Sequence, residues 1–575
     1  MPFANPGCKM RRLKTFLLFV TLLSPLVVRA WVPSGSANIL AKPECHDEVL
    51  SKQIFTYLSH RSSGEKWQKQ EWGTIEKMIQ SFMDRCAGEL YKGSFSPLVD
   101  YIKMESIEYA YKQHRDIREV SFQFPGDGYI TRGILALKKS KTPRPLIIFK
   151  CGLSCDMGDT AMLYTLMVFF DMGPFNVLML PSNTGTSFVK ENHVFAVGGV
   201  AEGLQVTKIA QYITSGHWKY SDRVSRIHLF GMSLGGHAAL YASLYADYIQ
   251  GDTNLFSSVF VGCPVVDFKS SLDQVTSDTW FYKLLRRTVF GNITDLMRMV
   301  PWFDRYYHDD PRFNPNQGKL REMLLGGAFD YYNTRTAKAS WANAPLANVR
   351  FGKEDNFWKW MDYSSQPLPL MKTPVYVWAP ENDDVVLFKS NSRKLFESDA
   401  RLNERHIYKL STPRGGHCAF PSVYGWATAA TVMNSFFIAR SPELLKEVQQ
   451  RKIVLNPKFV NRIRISGNQI RTRLTWEAAV DKDYITLTND YAVPTCNANP
   501  KVSQPCVGRT QVRIRFDELK ISKDMIPETK AEAQGLTRTL NSRIRFIDAS
   551  GKPIPRSGTP AAILFTDYGK LDDLN

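Results

Sequence analysis

Residues 226–243 read RIHLFGMSLGGHAALYAS. Arg226 to Phe230 carries the apolar run of a short buried strand. Gly231-Met232-Ser233-Leu234-Gly235 fits Gly-x-Ser-x-Gly, and Gly236 to Ser243 reads as a helix of small residues. A serine on a sharp turn between strand and helix takes a strained backbone, so the residues two before and two after it must be nearly free of side chain. Glycine at both positions meets that demand. The helix N-terminus then directs a positive dipole and free N–H groups at any oxyanion beside Ser233. In this context the pentapeptide predicts a nucleophile elbow rather than an ordinary turn.

Outward from this stretch, strands and helices alternate, which predicts an α/β fold with a mostly parallel sheet covered by helices. Leu146 to Lys150, Phe175 to Pro181, Phe256 to Gly262, Pro374 to Ala379 and His406 to Leu410 read as strands. Thr160 to Phe170, Val200 to Ser215, Phe388 to Glu397 and Val423 to Ala439 read as helices. Glu119 to Pro125 and Tyr129 to Leu137, separated by Gly126-Asp127-Gly128, predict a β-hairpin at the start of this region.

A serine hydroxyl needs a base within hydrogen-bond reach and a group that orients the base. Among the histidines, His417 ends Pro413-Arg414-Gly415-Gly416-His417, just after the last strand of the alternating region. The two glycines let the chain turn so that the imidazole reaches the carboxyl edge of the sheet. His237 on the elbow helix and His228 inside the strand are expected to be packed structural residues. The acid should leave a neighbouring strand at the same edge. Asp383, in Glu381-Asn382-Asp383-Asp384-Val385-Val386, is preferred because Val385 and Val386 return directly to the core. Asp384 and Asp267 are the alternatives.

The order Ser233, Asp383, His417, each following a strand, with a large insert before the acid strand, resembles the alpha/beta-hydrolase superfamily over about residues 118–440. Gly231-Met232-Ser233-Leu234-Gly235-Gly236 and Gly415-Gly416-His417-Cys418-Ala419-Phe420 are most similar to its carboxylesterase and acylglycerol-lipase branch. The resemblance implies a serine hydrolase with two backbone oxyanion donors, the amides of Leu153 and Leu234. It places the first in Lys150-Cys151-Gly152-Leu153-Ser154, where Cys151 stands at the family's usual histidine and a Cys151–Cys155 bridge would constrain the loop. The expected substrate is a small-molecule or lipid-like ester, with an amide or peptide as the alternative. No β-propeller repeat precedes the region, which argues against an oligopeptidase of that architecture. A non-catalytic secreted binding protein on a hydrolase scaffold is the competing class.

The rest of the chain bounds these readings. At 575 residues it calls for two or three domains, and 44% apolar with 22% charged residues is ordinary globular composition. Lys9, Arg11, Arg12 and Lys14 precede an apolar run from Phe16 to Val28, then Val28-Arg29-Ala30. This is the pattern of a secretory signal peptide over residues 1–30, cut after Ala30, which predicts a periplasmic or secreted protein. The net charge of +18 becomes about +13 after cleavage. That excess favours peripheral contact with anionic envelope surfaces, and no motif for nucleic acid accompanies it. No metal or organic cofactor is called for, and for zinc in particular no paired Cys-x-x-Cys or Cys/His spacing occurs.

Export permits disulfides, and eight cysteines remain after the cut. Cys496 with Cys506 is the preferred pair and Cys45 with Cys86 the second. Residues 31–117 read as an N-terminal helical extension, with amphipathic stretches at Glu48–Leu58, Ile75–Leu90 and Leu98–Gln113. Trp67, Trp72, Phe82, Leu90, Tyr101 and Tyr109 would face inward. Residues 118–440 form the expected α/β domain. Its aromatic-rich insert, about residues 269–370, reads as a helical lid whose aromatics either line an acyl site or form the insert's own core. Past Ser441, segments such as Arg462-Ile463-Arg464-Ile465 and Arg513-Ile514-Arg515-Phe516 alternate with period two. They predict a C-terminal antiparallel β domain over residues 441–575, with arginines on a solvated face or an anion-docking platform.

Overall fold

Strands β1 (Ile117–Gln123), β2 (Ile130–Ala136), β3 (Arg144–Lys150), β4 (Asn176–Leu180), β5 (Val224–Met232), β6 (Val259–Gly262), β7 (Val375–Pro380) and β8 (Ile407–Thr412) form one sheet. Their order is β1-β2-β4-β3-β5-β6-β7-β8. The β1–β2 and β2–β4 pairings are antiparallel, and every pairing from β4 to β8 is parallel. The structure is a computed structural model. It describes residues 43–45, 47–60, 69–91, 116–124, 129–140, 142–171, 173–195, 199–249, 251–277, 296–304, 317–331, 358–402, 406–424 and 426–449. Beyond these it describes the strands 457–464, 476–481, 484–492, 507–515, 544–547, 553–554 and 562–568. The signal-peptide segment, the stretch Leu98–Gln113 with Tyr101 and Tyr109, Trp67, and the Cys496/Cys506 pair lie outside the described residues.

Side-chain alternation along each central strand builds two cores. Ile147 and Phe149 of β3 with Phe230 and Met232 of β5 face one side, and Leu146, Ile148, Ile227 and Leu229 face the other. On the second side the helices Gly199–Thr214 and Leu234–Leu244 cover the sheet. They approach closely because Gly203 presents no side chain: a Cβ there would sit 2.8 Å from the Ala242 nitrogen. On the first side the helix Trp426–Ala439 is joined by the N-terminal helices Asp47–Ser59 and Lys69–Leu90. Trp72 stacks on Tyr376 at 4.7 Å between ring centroids.

The N-terminal helices also protect the sheet edge. Glu76 accepts from the Lys409 amide, and Gln80 both accepts from the Ser411 amide and donates to its carbonyl. These side chains occupy hydrogen-bonding groups that edge strand β8 would otherwise leave open to pairing with another chain. The disulfide Cys45–Cys86 ties the same helices together.

Two details depart from the sequence reading. The expected helix Phe388–Glu397 begins only at Ser392. Asn391 breaks it, because its side-chain oxygen accepts from the amides of Val266 and Asp267 and from the Ser271 hydroxyl. Of the insert's aromatics, Phe303 and Trp360 are buried in the core of the sheet, and Trp358 stacks parallel to Phe268. These three serve packing. Toward the C-terminus, β9 (Pro457–Arg464), β10 (Trp476–Asp481), β11 (Tyr484–Ala492), β12 (Val507–Arg515), β13 (Ile544–Ile547), β14 (Pro553–Ile554) and β15 (Ala562–Tyr568) form two antiparallel sheets. Their orders are β10-β11-β12 and β14-β13-β15-β9. Among the described residues, no helix is long and apolar enough to cross a membrane.

Candidate active site

Ser233 sits between β5 and the helix Leu234–Leu244 with φ 55° and ψ −123°, a conformation L-residues rarely adopt. The flanking glycines make it possible. A Cβ on Gly231 would lie 2.3 Å from the Gly235 carbonyl oxygen, and one on Gly235 would lie 2.1 Å from that of Lys150. The elbow is therefore pressed against the end of β3 and the loop that follows it. A Cβ on Gly152 would fall 3.0 Å from Ser233 Cβ, so this loop runs directly alongside Ser233.

His417 reaches the serine from the loop after β8, where Gly415 has φ 145° and Gly416 φ 53°. Its Nε2 lies 3.0 Å from Ser233 Oγ. Its Nδ1 lies 3.0 Å from Oδ2 and 3.2 Å from Oδ1 of Asp383. Asp383 is buried, and its Oδ1 also accepts from the amides of Val385 and Val386. Those bonds fix the carboxylate in place and leave Oδ2 aimed at the imidazole. Asn382 completes the loop by accepting from the Gly416 amide at 3.0 Å.

The elbow, the antiparallel second strand, and the Asp383 carboxylate and His417 imidazole delivered by the last two parallel strands together define the architecture. It is that of the alpha/beta hydrolases.

No family model matches the sequence, and no curated protein matches it. Among solved structures, the chain is similar to oligopeptidase B from Leishmania major, at 13% identity over 58% of this chain and 37% of that one, with a TM-score of 0.34. It is similar to the acylaminoacyl peptidase of Pyrococcus horikoshii, at 14% identity over 60% of this chain and 46% of that one, with a TM-score of 0.33. It is also similar to 2,6-dihydroxy-pseudo-oxynicotine hydrolase, at 11% identity over 72% of this chain and 90% of that one, with a TM-score of 0.36. The hydrolase-fold chain thus spans less than half the length of these two peptidases.

The remaining candidates fall elsewhere. Asp267 caps the helix Phe268–Val275 through the Ser270 amide and pairs with Lys394 at 3.0 Å. Asp384 is half-buried, and burial first, then the charge of Asp383, raises its carboxyl above the usual carboxylate range. His237 accepts from the Gly199 amide at Nδ1 and faces the Met361 carbonyl at Nε2, while His228 lies between the hydroxyls of Ser258 and Ser441. Both are buried structural residues, as expected from their places on helix and strand.

Two features of the site escaped the sequence reading. Cys263, directly after β6, is bridged to Cys418, the neighbour of His417. Cys418 adjoins His417 in sequence, but nothing local names its partner 155 residues away. The second is Lys150, fully buried beneath the loop Cys151–Cys155. Its ammonium donates to the Pro181 carbonyl, Asn183 and Gln205, and lies 3.7 Å from Glu202. Burial holds the lysine below its usual range and Glu202 above its own, the attraction between them opposing both shifts. Glu202 in turn accepts from the Ser182 hydroxyl and the Asn183 amide. The loop itself is closed by the Cys151–Cys155 disulfide and tied by the Ser154 amide to Thr184.

Proposed function

We propose that the protein is an exported serine hydrolase that cleaves an acyl ester through an acyl-enzyme. The observation that carries this reading is the imidazole of His417, hydrogen-bonded at one nitrogen toward Ser233 Oγ and at the other toward buried Asp383. In this arrangement Ser233 attacks the acyl carbonyl as its proton passes to His417 Nε2. Asp383 fixes the tautomer with Nδ1–H and stabilises the imidazolium that forms, without itself taking the proton. His417 then protonates the leaving alkoxide and activates the water that releases the acyl group.

The oxyanion donors are assigned as the family resemblance implies, and the neighbouring amides that are already engaged are compatible with that assignment. The Cys151 amide donates to Leu180, that of Ser154 to Thr184 and that of Cys155 to Gly152. The Ser233 amide donates to Gly262, and that of Gly236 to Ser233. The amides of Leu153 and Leu234 are the assigned donors, and losing one such donor costs roughly a hundred- to a thousandfold in rate. The disulfides Cys45–Cys86, Cys151–Cys155 and Cys263–Cys418 suit an oxidising compartment and so support export.

The test is labelling of the full chain by a fluorophosphonate probe, together with hydrolysis of p-nitrophenyl esters of increasing acyl length and of the matching anilides. Labelling lost in Ser233→Ala and turnover of esters over anilides is the expected result. Preferential anilide cleavage would move the assignment to an amidase or peptidase. No labelling at all would leave a binding protein on a hydrolase scaffold.

A further inference from the structure

We propose that the Cys263–Cys418 disulfide is a positioning element for catalysis, holding the base His417 at the nucleophile, an inference that rests on the serine-hydrolase reading above. The cross-link closes a small circuit around the reacting groups. The Ser233 amide donates to the Gly262 carbonyl at 3.0 Å. Gly262 is followed by Cys263, which is bridged to Cys418 with 5.5 Å between the Cα atoms. Cys418 is preceded by His417, whose Nε2 returns to Ser233 Oγ at 3.0 Å. Nucleophile and base are thus connected by two hydrogen bonds, two short pieces of chain and one covalent bridge.

The base loop needs such a tie. Gly415, Gly416 and Cys418 all have positive φ, so the segment belongs to no regular element and has no ladder to hold it. Besides the bonds of His417 to Asp383 and Ser233, the hydrogen bonds of this segment include the Gly416 amide to Asn382, the Ala419 amide to the Gly415 carbonyl and the Tyr424 hydroxyl to the Arg414 carbonyl, the last two local to it. At the other end of the bridge, Cys263 is anchored rigidly: its amide donates to the Trp378 carbonyl of β7, and its own φ is 43°. Phe420 packs over the same strand end, so close that a Cβ on Gly262 would meet its ring at 2.9 Å. Both cysteines are buried. The bridge joins the His417 loop to the strand end that already holds the Ser233 amide.

A bridge spanning 155 residues also stabilises the fold, so the two roles must be separated experimentally. The experiment compares three full-length proteins by fluorophosphonate active-site titration, kcat, KM and Tm: wild type, Cys263→Ala/Cys418→Ala, and Cys45→Ala/Cys86→Ala. A base displaced by about an ångström costs up to roughly a hundredfold in rate. The expected result is a kcat per titrated site lowered tenfold to a hundredfold in Cys263→Ala/Cys418→Ala with KM unchanged. Cys45→Ala/Cys86→Ala should lower Tm and leave kcat per site at the wild-type value. Cys263→Ser/Cys418→Ser, which keeps side chains of nearly the original size without a β-branch at two positions of positive φ, is carried alongside and should behave like the first variant. Wild-type kcat in either folded variant overturns the proposal. So does failure of both to fold, which would assign the bridge to stability. Wild-type protein without Ser233-dependent labelling overturns the hydrolase reading itself, and is distinguished by that.

Discussion

His417 Nε2 lies 3.0 Å from Ser233 Oγ across 184 residues of sequence, and Asp383 closes the line behind it. Removing the acid should cost less than removing either of the other two. Ser233→Ala and His417→Ala should each abolish ester turnover, by a factor of roughly a million or less, down to the residue that the oxyanion donors support. Asp383→Asn leaves the shape of the loop but favours the wrong imidazole tautomer, and should cost about ten-thousandfold in kcat. Asp384→Asn and Asp267→Asn should leave kcat within a few-fold of wild type. Steady-state kinetics on one p-nitrophenyl ester, with circular dichroism to verify folding, checks all five. An Asp384→Asn loss matching that of Asp383→Asn would displace the acid assignment.

Gly152 offers a way to perturb the nucleophile without touching it. An added methyl group would stand 3.0 Å from Ser233 Cβ and 3.5 Å from its Oγ. It would also stand 3.2 Å from the Met232 carbonyl, contacts close enough to push the Ser233 side chain away from His417 yet within reach of a small shift of the partly exposed loop that carries Gly152. Gly152→Ala should therefore lower kcat at least tenfold with Tm nearly unchanged. Gly235→Ala should behave in the opposite way: its methyl would meet the Lys150 carbonyl at 2.1 Å, backbone that cannot give way, so soluble protein should be lost. Expression level and thermal melts distinguish the two outcomes.

How much of this could be read from the chain depends on whether the cause was local. Gly231, Ser233 and Gly235 announce the elbow because the strained turn makes its demand on immediate neighbours. His417 was legible because two glycines stand before it, and Asp383 because two valines behind it return to the core. The Cys263–Cys418 bridge gave no such signal, since its geometry is set by where β6 and the base loop meet. Gln80 reads as an ordinary exposed helix residue, and only the docked helix makes it a substitute partner for β8. Asn391 looked like one more polar residue in a helix, although three donors from a distant turn converge on it. Lys150 stands at the end of an apolar strand, and nothing local to it shows that the polar groups of Pro181, Asn183, Glu202 and Gln205 gather to bury it.

That buried lysine supports a further prediction. Lys150 and Glu202 are both fully enclosed, so deleting one charge strands the other in a low-dielectric interior. Lys150→Met or Glu202→Leu alone should destabilise the fold by about 3–5 kcal/mol, and the double variant should recover much of that loss. Urea unfolding of the four proteins gives the cycle directly. Lys150→Met should also reduce kcat, because the lysine lies at the root of the loop Cys151–Cys155, whereas additive losses in the cycle would show that the pair is not coupled.

His237 predicts how stability responds to acid. Burial holds its imidazole neutral, lowering the pKa from 6.5 to about 4 against the opposing pull of the Met361 carbonyl and Asp267. The unfolded chain takes up this proton below about pH 6.5, and the folded protein does so only near pH 4. Between those values the unfolded state binds more protons, so stability rises with pH and is lost as pH falls. The group costs nothing above pH 6.5 and roughly 3 kcal/mol by pH 4. His228, buried and held well below its usual range, acts in the same direction. Unfolding free energy measured by denaturant from pH 7 to pH 4 should therefore fall steeply. His237→Asn retains an acceptor for the Gly199 amide and cannot take up a proton. Its curve should begin lower at pH 7 and be shallower by up to about one proton across the window. A slope equal to wild type would mean that His237 titrates alike in both states.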